Sequence, residues 1–170
     1  YYLANAIYSK IPILKHKIIQ FSFTDRNFID IVVRYKNIDI NIINLHFEYF
    51  NDISINYPEI DDIVIKQFEI LDDYLKNINN RNIIICGDFN INLFNKIENN
   101  KRYESNYEKK VSLIRKNFNN SSKINLVTNF NQNTTTDYIL LKKNSKITSI
   151  FSQVIKTNIS DHYPIITIFN

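Results

Sequence analysis

Glycine is almost missing from this sequence: Gly87 is the only one in 170 residues, beside three prolines, one cysteine and no Met or Trp. A chain this poor in glycine makes its turns with Asn, Asp and Pro. The glycine it keeps therefore marks a backbone position that tolerates no side chain. A single cysteine excludes an internal disulfide. Cys86 lies in an apolar run as a core thiol, which favours a reducing, intracellular setting. No apolar stretch reaches the ~18 residues of a membrane span, and no signal peptide opens the sequence. One Cys and the well-separated His16, His46 and His162 supply no tetrahedral zinc pattern.

What is present is skewed: 33 Ile, 27 Asn and 16 Lys against 5 Arg. Coding bias toward A+T accounts for this, because the Asn residues are scattered among periodic Ile and do not form a tract. For the same reason the Asn-x-Ser/Thr sequons at Asn119, Asn120, Asn133 and Asn158 carry no argument for secretion. The net charge of +4 leans mildly toward a polyanionic partner. The length fits one domain over residues 1–170, taken as a monomer, able to bury roughly 70% of its unfolded surface.

Strand-like segments are expected at Leu3–Ser9, Ile18–Thr24, Phe28–Tyr35 and Ile38–His46, the last two alternating in period two as an antiparallel meander with one face buried. From Pro58 to about Asn79 the period changes. Ile60, Ile63, Val64, Phe68, Leu71, Tyr74, Leu75 and Ile78 form one helical stripe, with Pro58 in the first turn and acidic residues opposing the dipole. Strand Asn82–Cys86 follows, then a polar loop from Asn95 to about Tyr107 and a helix near Glu108–Phe118. Short strands are expected at Ile124–Phe130, Asp137–Leu141, Ile147–Ile155 and Tyr163–Phe169. Many strands with two clear helices fit an α/β sandwich.

The chemistry gathers where strands end. The run Ile83-Ile84-Ile85-Cys86 stops at Gly87-Asp88-Phe89-Asn90, delivering a carboxylate and an amide, two residues apart, to a sheet edge where both can converge on one water. Taken alone, Gly-Asp-x-Asn is as readily a plain turn. Asp161-His162 before Pro164 offers an oxygen ligand and an imidazole, and equally reads as a surface turn. His46 ends a strand, where a histidine is more often structural, and Asp137 begins one, where Asp is commonly a cap. His16 receives no role. Together these residues provide a base for a water, donors for phosphoryl oxygens and a proton for a leaving group, as phosphodiester hydrolysis requires.

The ordered set Asn44-x-His46, Gly87-Asp88-Phe89-Asn90, Asp137-Tyr138-Ile139-Leu140 and Ser160-Asp161-His162-x-Pro164 resembles the endonuclease/exonuclease/phosphatase superfamily, and Asn5 to Ile13 is similar to the strand preceding its Asn-x-His strand. The resemblance spans essentially the whole chain. It implies an α/β fold of DNase I-like type, a four-layer α/β/β/α sandwich with its site at strand ends, using Mg²⁺, Mn²⁺ or Ca²⁺. It further implies that Asp88 activates the water, Asn90 holds the water or phosphate, and Asp161 is a metal ligand. His162, oriented by Asp137, would contact the scissile phosphate, and His46 would be the second imidazole there.

One departure accompanies the resemblance. Family members begin with a strand carrying Asn and a later strand with a Gln-Glu pair whose Glu binds metal. Neither is in this sequence, and Glu48, Glu59 and Glu69 lie where none replaces that Glu. The expectation is an N-terminally truncated sandwich. The implied function is a metal-dependent phosphodiesterase, first a nuclease acting on DNA or RNA. A sphingomyelinase-like enzyme acting on a lipid headgroup, a deadenylase-like member and an inactive copy are the alternatives.

Overall fold

Period-two alternation carries the first half of the chain into a sheet. The computed structural model describes residues 5–48, 58–94, 104–121, 127–131 and 133–170. Strands β1 (Ile13–Gln20), β2 (Asn27–Tyr35) and β3 (Ile38–His46) form the expected antiparallel meander. Lys36 and Asn37, both at positive φ, make the two-residue connection between β2 and β3, the backbone that suits the twist of a tight hairpin. Helix α1 (Pro58–Lys76) then leads to β4 (Ile83–Asp88), which pairs parallel with β3. After α2 (Glu104–Asn117), β5 (Phe118–Asn120) and β6 (Asp137–Lys142) complete a six-stranded sheet of order β1-β2-β3-β4-β6-β5. Strands β7 (Ser149–Val154) and β8 (Ile165–Phe169) pair separately as an antiparallel ribbon.

Side-chain chemistry stacks these elements into layers. The stripe Val64, Phe68 and Leu71 of α1, with Val111 and Ile114 of α2, buries against Phe28, Ile43, Leu45, Ile83, Ile85, Tyr138 and Leu140 on one face of the large sheet. Each such large side chain contributes about 1.5–3 kcal/mol when fully buried. The opposite face carries Ile31, Val33, Ile40, Ile84 and Leu141, packed with Ile147 and with Phe169 of β8. Helices, large sheet and small ribbon are thus three layers of the expected α/β sandwich; among the described residues no helix covers the outer side of β7 and β8.

Several sequence expectations need correction. Both faces of β2 and β3 are buried, not one, because a core packs on each, and Asp30 finds partners inside: the Asn41 amide donates to its two oxygens at 3.0 and 2.9 Å and the Tyr74 hydroxyl at 2.8 Å. A buried carboxylate supplied with three donors is tolerated where a bare one is not. The strand expected at Ile18–Thr24 is β1, ending at Gln20, since Phe21 to Arg26 turn back on themselves and the Gln20 amide donates to the carbonyls of Thr24 and Arg26. Of the strand expected at Leu3–Ser9, residues 5–9 have no strand pairing and residues 3–4 lie outside the described residues. Ile7 and Ile11 nonetheless pack under the large sheet. The strand expected at Ile124–Phe130 is, over its described residues 127–130, a turn with isolated pairings of Asn129 to Thr134 and His162. Of the polar loop expected at 95–107, residues 95–103 lie outside the described residues and residues 104–107 are not loop but the first turn of α2.

Gly87 meets its expectation. Its φ is +129°, and a Cβ placed there would stand 1.9 Å from the Leu45 carbonyl oxygen of the paired strand. Any side chain collides with backbone, which cannot swing aside as a flexible side chain would. We expect Gly87→Ala to lower the unfolding free energy by about 3 kcal/mol or more, measured as a shift of the urea midpoint; an unchanged midpoint would show that β3 and β4 do not need this approach.

Candidate active site

Register assembles the site. Cα pairing places His46 of β3 opposite Asp88 of β4, and Asp88 opposite Asp137 of β6, so one row across three neighbouring strands carries an imidazole and two carboxylates. The row sits where β3 and β4 end and β6 begins, on the face opposite the helices. Alternation explains this: Leu45, Phe89 and Tyr138, next to the three in sequence, turn into the helix-side core. There Phe47, Phe68, Phe89 and Tyr138 meet edge to face at centroid distances of 4.9 to 5.8 Å and form a rigid floor beneath the row.

His162, from the segment before β8, closes the group. Its Nδ1 lies 2.8 Å from Asp137 Oδ2 and 4.0 Å from Asp88 Oδ2, while His46 Nε2 is 3.5 Å from the same Asp88 oxygen. All four side chains are largely buried but open to solvent. Asp88, Asp137 and His162 bring one ligand atom each within 4.8 Å of one another, the cluster among the described residues able to hold a metal ion.

The electrostatics separate the two histidines. Burial, reinforced by the nearby Arg26 charge, pushes His46 down to about 4, so it is neutral at pH 7. Burial also acts on His162 and is the largest single influence, pulling it down. Yet the charge and hydrogen bond of Asp137, with Asp88 and Asp161 beyond, outweigh burial and hold His162 above its ordinary value. Asp88 is raised to about 6, first by burial and then by repulsion from Asp137. Cys86 is only a bystander, its thiol pushed up to about 11 by burial.

The structure thus brings His46, Asp88, Asp137 and His162 together. Asn90 is adjacent and is tied into the turn that follows Asp88. At φ 54° its backbone N–H donates to Asp88 Oδ1 at 2.7 Å, and its side-chain amide donates to the Phe47 carbonyl at 2.8 Å. Asp161 is exposed beside His162, outside the three-residue cluster, with Ser160 Oγ 3.3 Å from its Oδ1.

Other contributors were not legible beforehand. The Thr128 hydroxyl accepts the backbone N–H groups of Thr136 and Asp137 at 3.0 and 3.1 Å, and its carbonyl accepts that of Tyr163 at 2.7 Å. One buried threonine therefore ties the strand bearing Asp137 to the segment bearing His162. Asn129 Nδ2 lies 2.9 Å from His162 Nε2, so both ring nitrogens are engaged. The Gln67 side chain of α1 accepts the Glu48 backbone N–H at 2.8 Å and fixes the chain as it leaves His46. Nothing in a lone Thr, Asn or Gln of an Asn-rich sequence singles these residues out.

Comparison with known proteins follows the same lines. The model of the Endonuclease/Exonuclease/phosphatase family matches residues 1–162. No curated protein matches the chain. Among solved structures, D. rerio TDP2 complexed with a single-strand DNA product is 18% identical, with 94% of this chain and 68% of that one covered at a TM-score of 0.65. Sphingomyelinase C from Streptomyces griseocarneus is 15% identical, with 94% and 65% covered at 0.61. A mutant beta toxin from Staphylococcus aureus with bound magnesium ions is 17% identical, with 92% and 64% covered at 0.56. Identities this low establish a shared fold. The chain spans about two thirds of the length of these structures.

The split between the histidines is open to a direct check. In an NMR titration His46 should gain its proton near pH 4 and His162 above the ordinary histidine value of ~6.5. Asp137→Asn should move His162 downward while leaving His46 the lower of the two. Coincident titration of both imidazoles would contradict the arrangement.

Proposed function

This chain belongs to the endonuclease/exonuclease/phosphatase family, and we propose that it hydrolyses phosphodiester bonds in DNA or RNA with a divalent cation as cofactor. The observation that carries the proposal is the row His46, Asp88, Asp137 with His162 hydrogen-bonded at its end. It supplies a base, a proton carrier and a neutral imidazole within one partly buried cluster. The basic net charge of +4 supports a polyanionic substrate, and the TDP2 neighbour holds single-strand DNA.

Each residue has a role that its environment permits. Asp88, raised to about 6, is ionised at neutral pH yet basic enough to take a proton from an attacking water. As the water oxygen bonds to phosphorus, the bond from phosphorus to the leaving oxygen breaks and that oxygen needs a proton. His162 is held above its ordinary value whereas His46 is pushed down to about 4, so His162, oriented by Asp137, is assigned as the donor and as the ring that offsets charge on the phosphate. To reach the phosphate through Nε2 it must part from Asn129. His46 contributes hydrogen bonding as a neutral ring. Asn90, its backbone N–H and side chain both bonded, positions Asp88 by fixing the turn.

The donor set suits a hard cation. Asp88 and Asp137 are adjacent carboxylates that repel each other, a repulsion that a divalent ion relieves, and oxygen donors fit Mg²⁺, Mn²⁺ or Ca²⁺. Asp137 already holds His162 and Asp88 is the base, so we assign the cation to Asp161, with remaining positions left to water and phosphate. When bound, such an ion supplies positive charge at the phosphoryl oxygens. The fold shared with sphingomyelinase C makes a lipid phosphodiester the second substrate class to be tested.

A panel of single-stranded DNA, duplex DNA, RNA and sphingomyelin tests the reading. We expect cleavage of nucleic acid that EDTA abolishes and Mg²⁺ restores, and a loss of about 10²–10⁴-fold in kcat for Asp88→Asn or His162→Ala. The rate should rise with pH through about 6 as Asp88 ionises and fall once pH passes the raised value of His162, where its proton is lost. Undiminished hydrolysis by Asp88→Asn would dismiss this mechanism, and cleavage of sphingomyelin alone would move the assignment to lipid.

A further inference from the structure

Phe130 stands 64% exposed at the rim of the site, the most exposed phenylalanine among the described residues. A single exposed apolar side chain needs no explanation by itself; what sets this one apart is how firmly it is tied to the catalytic group. Its backbone N–H donates to the Asp161 carbonyl at 2.8 Å, and its own carbonyl accepts the Asn133 N–H at 3.3 Å. The preceding residue, Asn129, contacts His162 Nε2 and pairs in backbone with both Thr134 and His162. On the other side of His162, the Tyr163 N–H donates to the Thr128 carbonyl at 2.7 Å, and the Tyr163 ring backs that of Phe130 with centroids 6.1 Å apart and planes at 49°. Two aromatic rings are therefore braced directly against the residues flanking the imidazole that meets the phosphate.

We propose that Phe130, backed by Tyr163, is a stacking platform for an unpaired nucleobase next to the scissile phosphate, making single-stranded nucleic acid the favoured substrate. This rests on the nuclease reading above and deepens it. A base in a duplex already has both faces covered by its neighbours, whereas an unpaired base offers a free π-face to a protruding ring. Because every base has such a face, the platform selects strandedness over sequence. The same rings can attract a quaternary ammonium headgroup, but that recognition uses a cage of several rings. Here the described residues supply two tilted rings, with Phe130 well exposed, and a net charge of +4 disfavours a cationic group.

Binding of the full chain in EDTA to oligothymidylate, and to the same sugar-phosphate backbone without bases, tests the platform by fluorescence anisotropy. The wild type should bind the base-bearing oligomer about tenfold tighter than the baseless one, Phe130→Ala should erase most of that ratio, and Phe130→Trp should keep it. A ratio near one in the wild type, or one unaltered by Phe130→Ala, overturns the platform while leaving nucleic-acid hydrolysis standing on its own assay. Failure of either oligomer to bind, with phosphocholine binding lost in Phe130→Ala, overturns the platform and the nuclease reading together.

Discussion

The site depends on one close approach of two backbones. Strands β3 and β4 run parallel, and at Leu45 and Gly87 they come nearer than any Cβ allows. That contact lies one residue before the point where His46 faces Asp88, so the register that joins imidazole to carboxylate is set where the glycine sits. Strand β6 then adds Asp137 to the same row through its own pairing with β4. The Phe47, Phe68, Phe89 and Tyr138 cluster supports the row from below, so His46, Asp88 and Asp137 stand on a packed floor and need not rely on loops for their spacing.

Around that row the same residue type is shifted in opposite directions by its surroundings. His46 is pushed down first by burial and then by Arg26, itself held by Glu48, and stays neutral. His162 leans on Asp137 and is held above its ordinary value. Neither state follows from the imidazole itself. Asp88 obeys the same logic, since burial first and repulsion from Asp137 second raise it to about 6. Thr128 holds the partners of this charge arrangement in place from outside it, by bonding both the start of β6 and the segment after His162.

Much of this was legible in the residues. The alternation of Ile38, Ile40 and Ile42 and the helical spacing of Val64, Phe68 and Leu71 announced β3 and α1 because burial of one face imposes a period. The motif-bearing strand ends announced the row, since polar residues that interrupt apolar runs stand out. Long-range pairing was harder to read. The buried partnership of Asp30, Asn41 and Tyr74 depends on residues far apart in sequence meeting inside the sheet. Strand β5 is too short to show a period. The segment around Ile7 and Ile11 has the apolar content of a strand but packs without a ladder. Asn129 is one among 27 asparagines, and only the fold distinguishes it.

Gly87 also carries a message about the gene. Glycine codons begin with two guanines, and a composition weighted toward Ile, Asn and Lys is that of a coding sequence shedding G and C. Of the five other described residues at positive φ, four are Asn, at 37, 90, 133 and 144, with φ between 53° and 65°. That is the left-handed region which Asn tolerates best after glycine. At each of these turns an A-rich codon serves. At position 87, with φ near +129° and a carbonyl where a side chain would begin, no A-rich codon specifies a residue that fits, and nucleotide bias gives way to the geometry of two strands.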